Sequence, residues 1–134
     1  MFQVLKQITF CYGHRLIHYS GKCQHLHGHD AVAEIVIQSN NLDQRGMVVD
    51  FSDIKADVST WIDQHLDHKM LLCKDDPIVK ELQAFGEPLF LLEGNPTAEN
   101  IARVIFEQTA RMGHEVVEVR LWESPTSCAV YSEY

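Results

Sequence analysis

The sequence has no CxxC pair, no apolar run of 18 residues, no low-complexity tract and no Pro/Gly/Ser-rich linker. Its four cysteines (Cys11, Cys23, Cys73 and Cys128) are too few and too scattered for a disulfide scaffold. They are expected to be thiols in a reducing, cytoplasmic compartment. Without a long apolar run no membrane-spanning helix is expected, and Met1-Phe2-Gln3-Val4 leads into a strand-like pattern, not a signal peptide. The lack of linkers and internal repeats predicts one domain over residues 1–134, a length that buries a core without staples. Positive charge is scarce too. Eleven Lys and Arg face nineteen Asp and Glu, a net charge of −8 that argues against nucleic-acid and membrane-surface partners. One absence is local: residues 1–29 contain no acidic residue, only Lys6, Arg15 and Lys22. That segment is cationic but offers three basic side chains and no aromatic stacking platform, which is poor equipment for nucleic acid.

The hydrophobic pattern is that of an ordinary globular chain. Residues 3–11 read as a strand, with Val4, Lys6, Ile8 and Phe10 on one side, and residues 12–28 as a loop rich in Gly, His and Tyr. From His29 to Gln38, Ala31, Ala33, Ile35 and Ile37 alternate with Val32, Glu34 and Val36, a second strand opened by His27-Gly28-His29. Met47-Val48-Val49 predicts a short strand. Ser52 is a candidate N-cap for a helix over about 53–66, with Ile54, Val58, Trp61, Ile62 and His65 as its apolar stripe. Residues 67–95 lack regular periodicity. Asn95-Pro96 suits the start of a helix ending at Gly113, burying Ile101, Val104, Ile105 and Met112. Two further strands follow, around Val117–Leu121 and Cys128–Tyr131. Short turns between paired strands predict an α+β domain: a four-stranded antiparallel sheet with two helices on one face.

Five of the eight histidines (His14, His18, His25, His27 and His29) fall within sixteen residues, a density that signals metal binding. His27 and His29 lie two apart on a strand and so share a face. His14, ending the first strand, supplies a third nitrogen if the two strands are neighbours. Three imidazoles and an open fourth position make a catalytic zinc site, whereas structural zinc is closed by four ligands. The competing reading is of loop or hydrogen-bonding histidines, and His18 and His25 are left there. Asp30 is a candidate acceptor behind His29.

Cys23 shares the cationic segment with the histidines and sits beside Lys22, surroundings that favour a thiolate. Cys11, Cys73 and Cys128 have no such neighbours and read as inert thiols. Asp67-His68 follows the first helix, and an Asp that orients a His supports proton transfer near neutral pH, provided the two touch. Glu123, at the end of an apolar strand, reads by default as the cap of a turn.

Taken in order, these residues resemble the 6-pyruvoyl-tetrahydropterin synthase superfamily. Cys23-Gln24-His25-Leu26-His27-Gly28-His29 has the Cys-x-x-x-His-Gly-His spacing of its bacterial, 6-carboxy-5,6,7,8-tetrahydropterin synthase branch. Phe10 to Leu16 is similar to the family's Phe-x-x-x-His-Arg-Leu, Val49-Asp50-Phe51 to its strand-to-helix junction, and Leu66-Asp67-His68 to its Leu-Asp-His. Pro96-Thr97-Ala98-Glu99-Asn100 resembles its Pro-Thr-Ser-Glu-Asn helix start, and Trp122-Glu123-Ser124-Pro125-Thr126 its Glu-Thr turn.

The resemblance implies a tunnelling fold whose sheets close into a barrel on trimerisation, often stacked into hexamers with active sites at subunit interfaces. It implies His14, His27 and His29 as Zn²⁺ ligands, Cys23 as acid or base at a pterin ring, and Asp67 and His68 as a proton relay. Glu123 would bind the guanidine-like edge of the pterin in a planar, two-bond contact, with Thr97 in the same pocket. The implied reaction is that of a lyase in queuosine biosynthesis: 7,8-dihydroneopterin triphosphate to 6-carboxy-5,6,7,8-tetrahydropterin, releasing acetaldehyde and triphosphate. The alternatives are the same fold making 6-pyruvoyl-tetrahydropterin without C–C cleavage, and a non-catalytic zinc module closed by Cys23. Three stretches depart from the family pattern: Cys11-Tyr12-Gly13 before His14, Leu71-Leu72-Cys73, and a long 73–95 segment. The acid-free segment holds the three histidines and Cys23, so a triphosphate could be steered to it on an otherwise acidic protein.

Overall fold

The computed structural model describes all 134 residues. Six strands form one sheet in the order β4-β3-β1-β2-β5-β6: β1 is Phe2–His14, β2 His27–Ser39, β3 Lys69–Cys73, β4 Leu89–Leu92, β5 Val116–Ser124 and β6 Ser127–Ser132. The four expected strands (β1, β2, β5, β6) are its antiparallel core, and two short parallel strands extend it beyond β1. Those two come from the segment without periodicity. Leu71, Leu72 and Cys73 are buried as a continuous apolar run, which carries no alternation to read.

Helix α1 runs from Phe51 to His65, with α-helical turns at Phe51–Ile54 and Thr60–His65 around a π-helical stretch at Lys55–Ser59. Its cap is Asp50, whose carboxylate accepts from the Ser52 N–H, so the expected Ser52 cap is displaced by two residues. Leu66, not His65, completes the buried stripe: the π stretch shifts the helical phase and leaves His65 exposed. Met47-Val48-Val49 forms no strand, because the Asp43 carboxylate takes the Arg45 and Met47 N–H groups into a tight loop. A short helix α2 (Ile78–Ala84) connects β3 to β4, and α3 covers Ala98–Arg111. Thr97, not Asn95, caps α3 by accepting from the Asn100 N–H at 3.2 Å, and Gly113 (φ +94°) ends it.

Alternation along β1 and β2 gives the sheet two unlike faces. Ile8, Phe10, Ala31, Ala33 and Ile35 meet Ile54, Val58 and Ile62 of α1, Leu66 at its C-terminal cap, and Ile101, Ile105 and Phe106 of α3 in the core. On the opposite face the Glu34 carboxylate accepts from Gln7 Nε2 (3.0 Å) and Trp122 Nε1 (2.7 Å), and Arg120 pairs with Glu118.

Candidate active site

The antiparallel register of β1 and β2 sets His14 opposite His27 and Tyr12 opposite His29, which puts three imidazoles on the helix-facing side at the end of the sheet. Gly28, between the two β2 histidines, sits where space is tight: a Cβ there would lie 3.0 Å from the Tyr12 carbonyl oxygen. One ring nitrogen from each of His14, His27 and His29 lies within 4.8 Å of the other two. The Nδ1–H of His14 donates to the Pro96 carbonyl (2.7 Å) and that of His27 to the His25 carbonyl (2.7 Å). Both bonds fix the tautomer and leave Nε2 with a free lone pair. His14 Nε2 is 3.1 Å from His29 Nε2, and His27 Nε2 is buried with no hydrogen-bond partner.

A buried nitrogen without a partner is costly unless an ion takes it. Tetrahedral zinc with Zn–N distances of 2.0–2.1 Å separates its nitrogens by about 3.4 Å. The trio therefore fits a divalent metal: the His14–His29 spacing is close to the zinc value, and the tautomers of His14 and His27 turn Nε2 towards an ion. His14 is 2 % exposed, and this burial lowers its pKa below the ordinary histidine range, although the Pro96 hydrogen bond and the Glu123 charge oppose it. An imidazole that stays neutral remains available as a ligand. The Cys23 thiol is not among the clustered donors, so the chain does not close the site with sulfur. Cys23 lies on a one-turn 3-10 segment, Lys22–Gln24, anchored by the Leu16 N–H bonded to its carbonyl at 2.9 Å.

Glu123 reaches the same side of the sheet from β5, where its Oε1 accepts from the Tyr12 hydroxyl at 3.2 Å. Burial, then the Glu123 charge, raises the Tyr12 pKa, which keeps that phenol a donor. No other hydrogen bond within the chain engages the Glu123 carboxylate. Thr97 adjoins Pro96, the residue that holds His14, and its hydroxyl is engaged as the α3 cap.

Asp67 and His68 do touch, with the Nδ1–H of His68 donating to Asp67 Oδ2 at 2.9 Å. They are docked on Cys11, whose N–H donates to Asp67 Oδ1 (2.9 Å) and whose carbonyl accepts from the His68 N–H (2.7 Å). Burial pushes the Asp67 pKa up, but the bonds from Cys11 and His68 outweigh it and hold the carboxyl below its usual range. Cys11 alternates with Tyr12 and His14, so the pair belongs to the opposite side of β1 from the three histidines. A cavity of about 920 Å³ lies at this end of the sheet, lined among others by Cys11, Gly28, His29, His68, Met70 and Phe85.

Sequence reasoning missed Cys11, Tyr12 and the Pro96 carbonyl. The Cys11 sulfur, with no charged neighbour along the chain, lies 3.5–3.6 Å from the His68 ring nitrogens. Strand register alone reveals this, and no spacing along the chain encodes it. The Cys73 and Cys128 thiols each make a long contact to a backbone carbonyl, 3.8 Å to Glu93 and 3.6 Å to Ala129. Arg15 was also missed. It forms a two-bond pair with buried Asp76 (2.8 and 2.5 Å), and Asn95 clasps the Ile17 backbone on both sides, tying the Cys23 loop to the 73–95 segment.

Residues 3–134 match the protein family described as 6-pyruvoyl tetrahydropterin synthase. The chain is 44% identical over 104 residues to the 6-carboxy-5,6,7,8-tetrahydropterin synthase of Rickettsia typhi, covering 76% of this chain and 75% of that one. It is 36% identical over 145 residues to the protein of the same name from Haemophilus influenzae, covering 99% and 100% of the two chains. Among solved structures, an uncharacterized protein from Wolinella succinogenes superposes with a TM-score of 0.81 at 24% identity, over 99% of this chain and 98% of that chain. The Caenorhabditis elegans 6-pyruvoyl tetrahydropterin synthase superposes with a TM-score of 0.74 at 23% identity, over 99% and 96%. These structural likenesses establish the tunnelling fold of the chain.

Proposed function

The chain belongs to the 6-pyruvoyl tetrahydropterin synthase family, and on that premise we propose that it is a zinc-dependent carbon–carbon lyase of the 6-carboxy-5,6,7,8-tetrahydropterin synthase type. With one water it converts 7,8-dihydroneopterin triphosphate to 6-carboxy-5,6,7,8-tetrahydropterin, acetaldehyde and triphosphate. The observation that carries the reading is the three-histidine cluster, with the partnerless Nε2 of His27 and without a sulfur donor, beside the Glu123 carboxylate.

His14, His27 and His29 would hold the metal, which when bound would supply Lewis-acid polarisation of substrate oxygens. Glu123 accepts two N–H bonds from the pterin edge and orients the ring, while the Tyr12 hydroxyl holds one of its oxygens. Cys23 exchanges a proton with the ring, and His68, oriented by Asp67 through Nδ1, exchanges a second one through Nε2. The bonds of Asp67 and His68 to Cys11 turn that relay away from the histidine cluster of its own chain. A neighbouring copy in a homo-oligomer, a hexamer of two trimers, therefore brings its Asp67 and His68 to this chain's metal. The free edges of β4 and β6 suit closure of such sheets into a barrel. No helix is long and apolar enough to cross a membrane, and we place the enzyme in the cytoplasm with no nucleic-acid partner.

The test is incubation of zinc-loaded protein with 7,8-dihydroneopterin triphosphate. Stoichiometric acetaldehyde and 6-carboxy-5,6,7,8-tetrahydropterin are expected. Triphosphate release without acetaldehyde would identify 6-pyruvoyl-tetrahydropterin formation instead, and no turnover would leave a metal-binding module.

A further inference from the structure

Thr97 caps α3, which leaves Asn95 without the duty that its place before the helix suggests. Its side chain serves the Cys23 loop instead. Asn95 Oδ1 accepts from the Ile17 N–H at 2.8 Å, and its Nδ2 donates to the Ile17 carbonyl at 2.7 Å. One amide thus exchanges both bonds with one backbone residue, as a facing residue does in an antiparallel ladder. Only this orientation of the amide serves both groups. The clasp is itself anchored, because the Asn95 carbonyl accepts from Asn100 Nδ2 and from the Thr97 N–H, each at 2.8 Å. Directly after Ile17, His18 takes a left-handed backbone (φ +57°), costly for a residue with a Cβ, and a held Ile17 fixes where that bend begins. The residues beside the clasp complete the link. Pro96, next to Asn95, accepts from His14 Nδ1 through its carbonyl (2.7 Å). Leu16, next to Ile17, donates its N–H to the Cys23 carbonyl (2.9 Å) and closes the loop at its base. Within the loop the backbone bonds are local, from Gln24 to Gly21 and from His25 to Lys22.

We propose that Asn95 is a positioning residue for the Cys23 thiol. It fixes the base of the loop to the same turn that orients His14, and so sets where the thiol stands relative to the histidine cluster. Asn95 acts through the Ile17 backbone, and Pro96 beside it acts on the metal ligand, so one turn keeps the two halves of the site in step. The effect on turnover rests on the lyase reading, whereas the hold on the thiol does not.

The experiment treats zinc-loaded wild type, Asn95→Ala and Asn95→Asp with iodoacetamide in the absence of substrate, and follows each cysteine by peptide mass spectrometry. Cys23 should be alkylated about tenfold faster in both variants, because opening the loop no longer breaks two hydrogen bonds. Zinc content and the rates at Cys11, Cys73 and Cys128 should stay as in wild type. Asn95→Asp keeps the shape of the side chain but sets an oxygen against the Ile17 carbonyl, so lost packing does not account for its effect. Val58→Ala, which loosens the buried core elsewhere, should leave the Cys23 rate unchanged. In wild type alone, hydrogen exchange should show the Ile17 amide better protected than those of Tyr19 and Ser20, a measurement that needs no variant to fold. With substrate, kcat should fall about 10- to 100-fold in both variants while KM stays within about twofold. An unchanged Cys23 rate in both variants, an equal rise at all four cysteines, or an unprotected Ile17 amide would overturn the proposal. Alkylation and exchange are read without substrate, so an inactive wild type would sink the lyase reading and leave this result standing.

Discussion

On one side of the β1–β2 ladder His14 is 2 % exposed, its tautomer fixed by a backbone carbonyl, its Nε2 aimed at two other imidazoles. On the other side, the His68 side chain is 77 % exposed and held only by Asp67 and Cys11. The histidine set, of which His14 is the buried member, is complete in one chain: its nitrogens are arranged before any ion arrives, so little is spent on ordering them. The exposed set has an oriented base, and the cavity it shares with His29 is open to solvent. A side chain so open to water exchanges protons with solvent and excludes nothing until another surface covers it. The difference teaches that the histidine cluster is a property of the single chain's fold, whereas the proposed relay of Asp67 and His68 needs a covering surface to work.

Removing a member of the buried set should have the largest effect. His27→Ala deletes the partnerless nitrogen, and Zn²⁺ content measured by atomic absorption should fall from near one per chain to a trace. Turnover should drop on the order of 10³-fold or more, since Lewis-acid stabilisation is worth several kcal/mol and each 1.36 kcal/mol is tenfold. His68→Ala should retain zinc while losing about 10²- to 10⁴-fold in kcat, the range of a missing acid–base group. Mixing the two inactive variants breaks or sharpens the comparison directly. Where subunits exchange at random, about a quarter of the sites pair an intact trio with a neighbour's intact relay, and activity should return in that proportion. If none returns, the relay serves its own chain.

The antiparallel core, the helix-covered face and the histidine cluster were legible in the sequence because each is written in a local period. Ala31 to Ile37 alternate, Ile101 and Ile105 recur at helical spacing, and His27-Gly28-His29 places two ligands on one face. What was not legible depends on contacts between distant segments. Strands β3 and β4 are short, parallel and apolar, so they lack the alternation that marks an exposed-face strand, and their pairing is settled only by docking on β1. The π-helical turn in α1 shifted the buried stripe from His65 to Leu66, and no residue pattern announces such a bulge. Cys11 looked inert along the chain because its partners are 56 and 57 residues away.

A smaller effect is expected where the two sides are tied together. The Arg15–Asp76 pair joins the start of the Cys23 loop to the 73–95 segment, and the Asp76 side chain is fully buried. The Arg15 hydrogen bonds hold the Asp76 carboxyl below its usual range. The pair therefore stabilises fully above the unfolded aspartate pKa of about 3.9 and loses that contribution as pH falls towards the lower folded value. Asp76→Asn should cost about 3 kcal/mol by urea denaturation at pH 7 and flatten the acid limb of the stability curve below about pH 4. An unchanged acid limb would mean that the pair contributes nothing.

The smallest expected effect concerns Thr97, which has been given two duties. As the α3 cap its hydroxyl accepts from the Asn100 N–H, and Thr97→Ala should cost about 1 kcal/mol of stability. As a pterin contact it would also act on substrate, and KM for 7,8-dihydroneopterin triphosphate should then rise. Thr97→Ser keeps the hydroxyl and separates the duties from a loss of packing. A stability loss with KM unchanged in Thr97→Ala assigns the residue to the helix alone, whereas a raised KM that Thr97→Ser restores assigns it to both. The cap is already satisfied within one chain, so the hydroxyl can accept a substrate N–H only through its second lone pair. That requirement makes a rise in KM of more than about tenfold incompatible with a single shared hydrogen bond to a neutral donor.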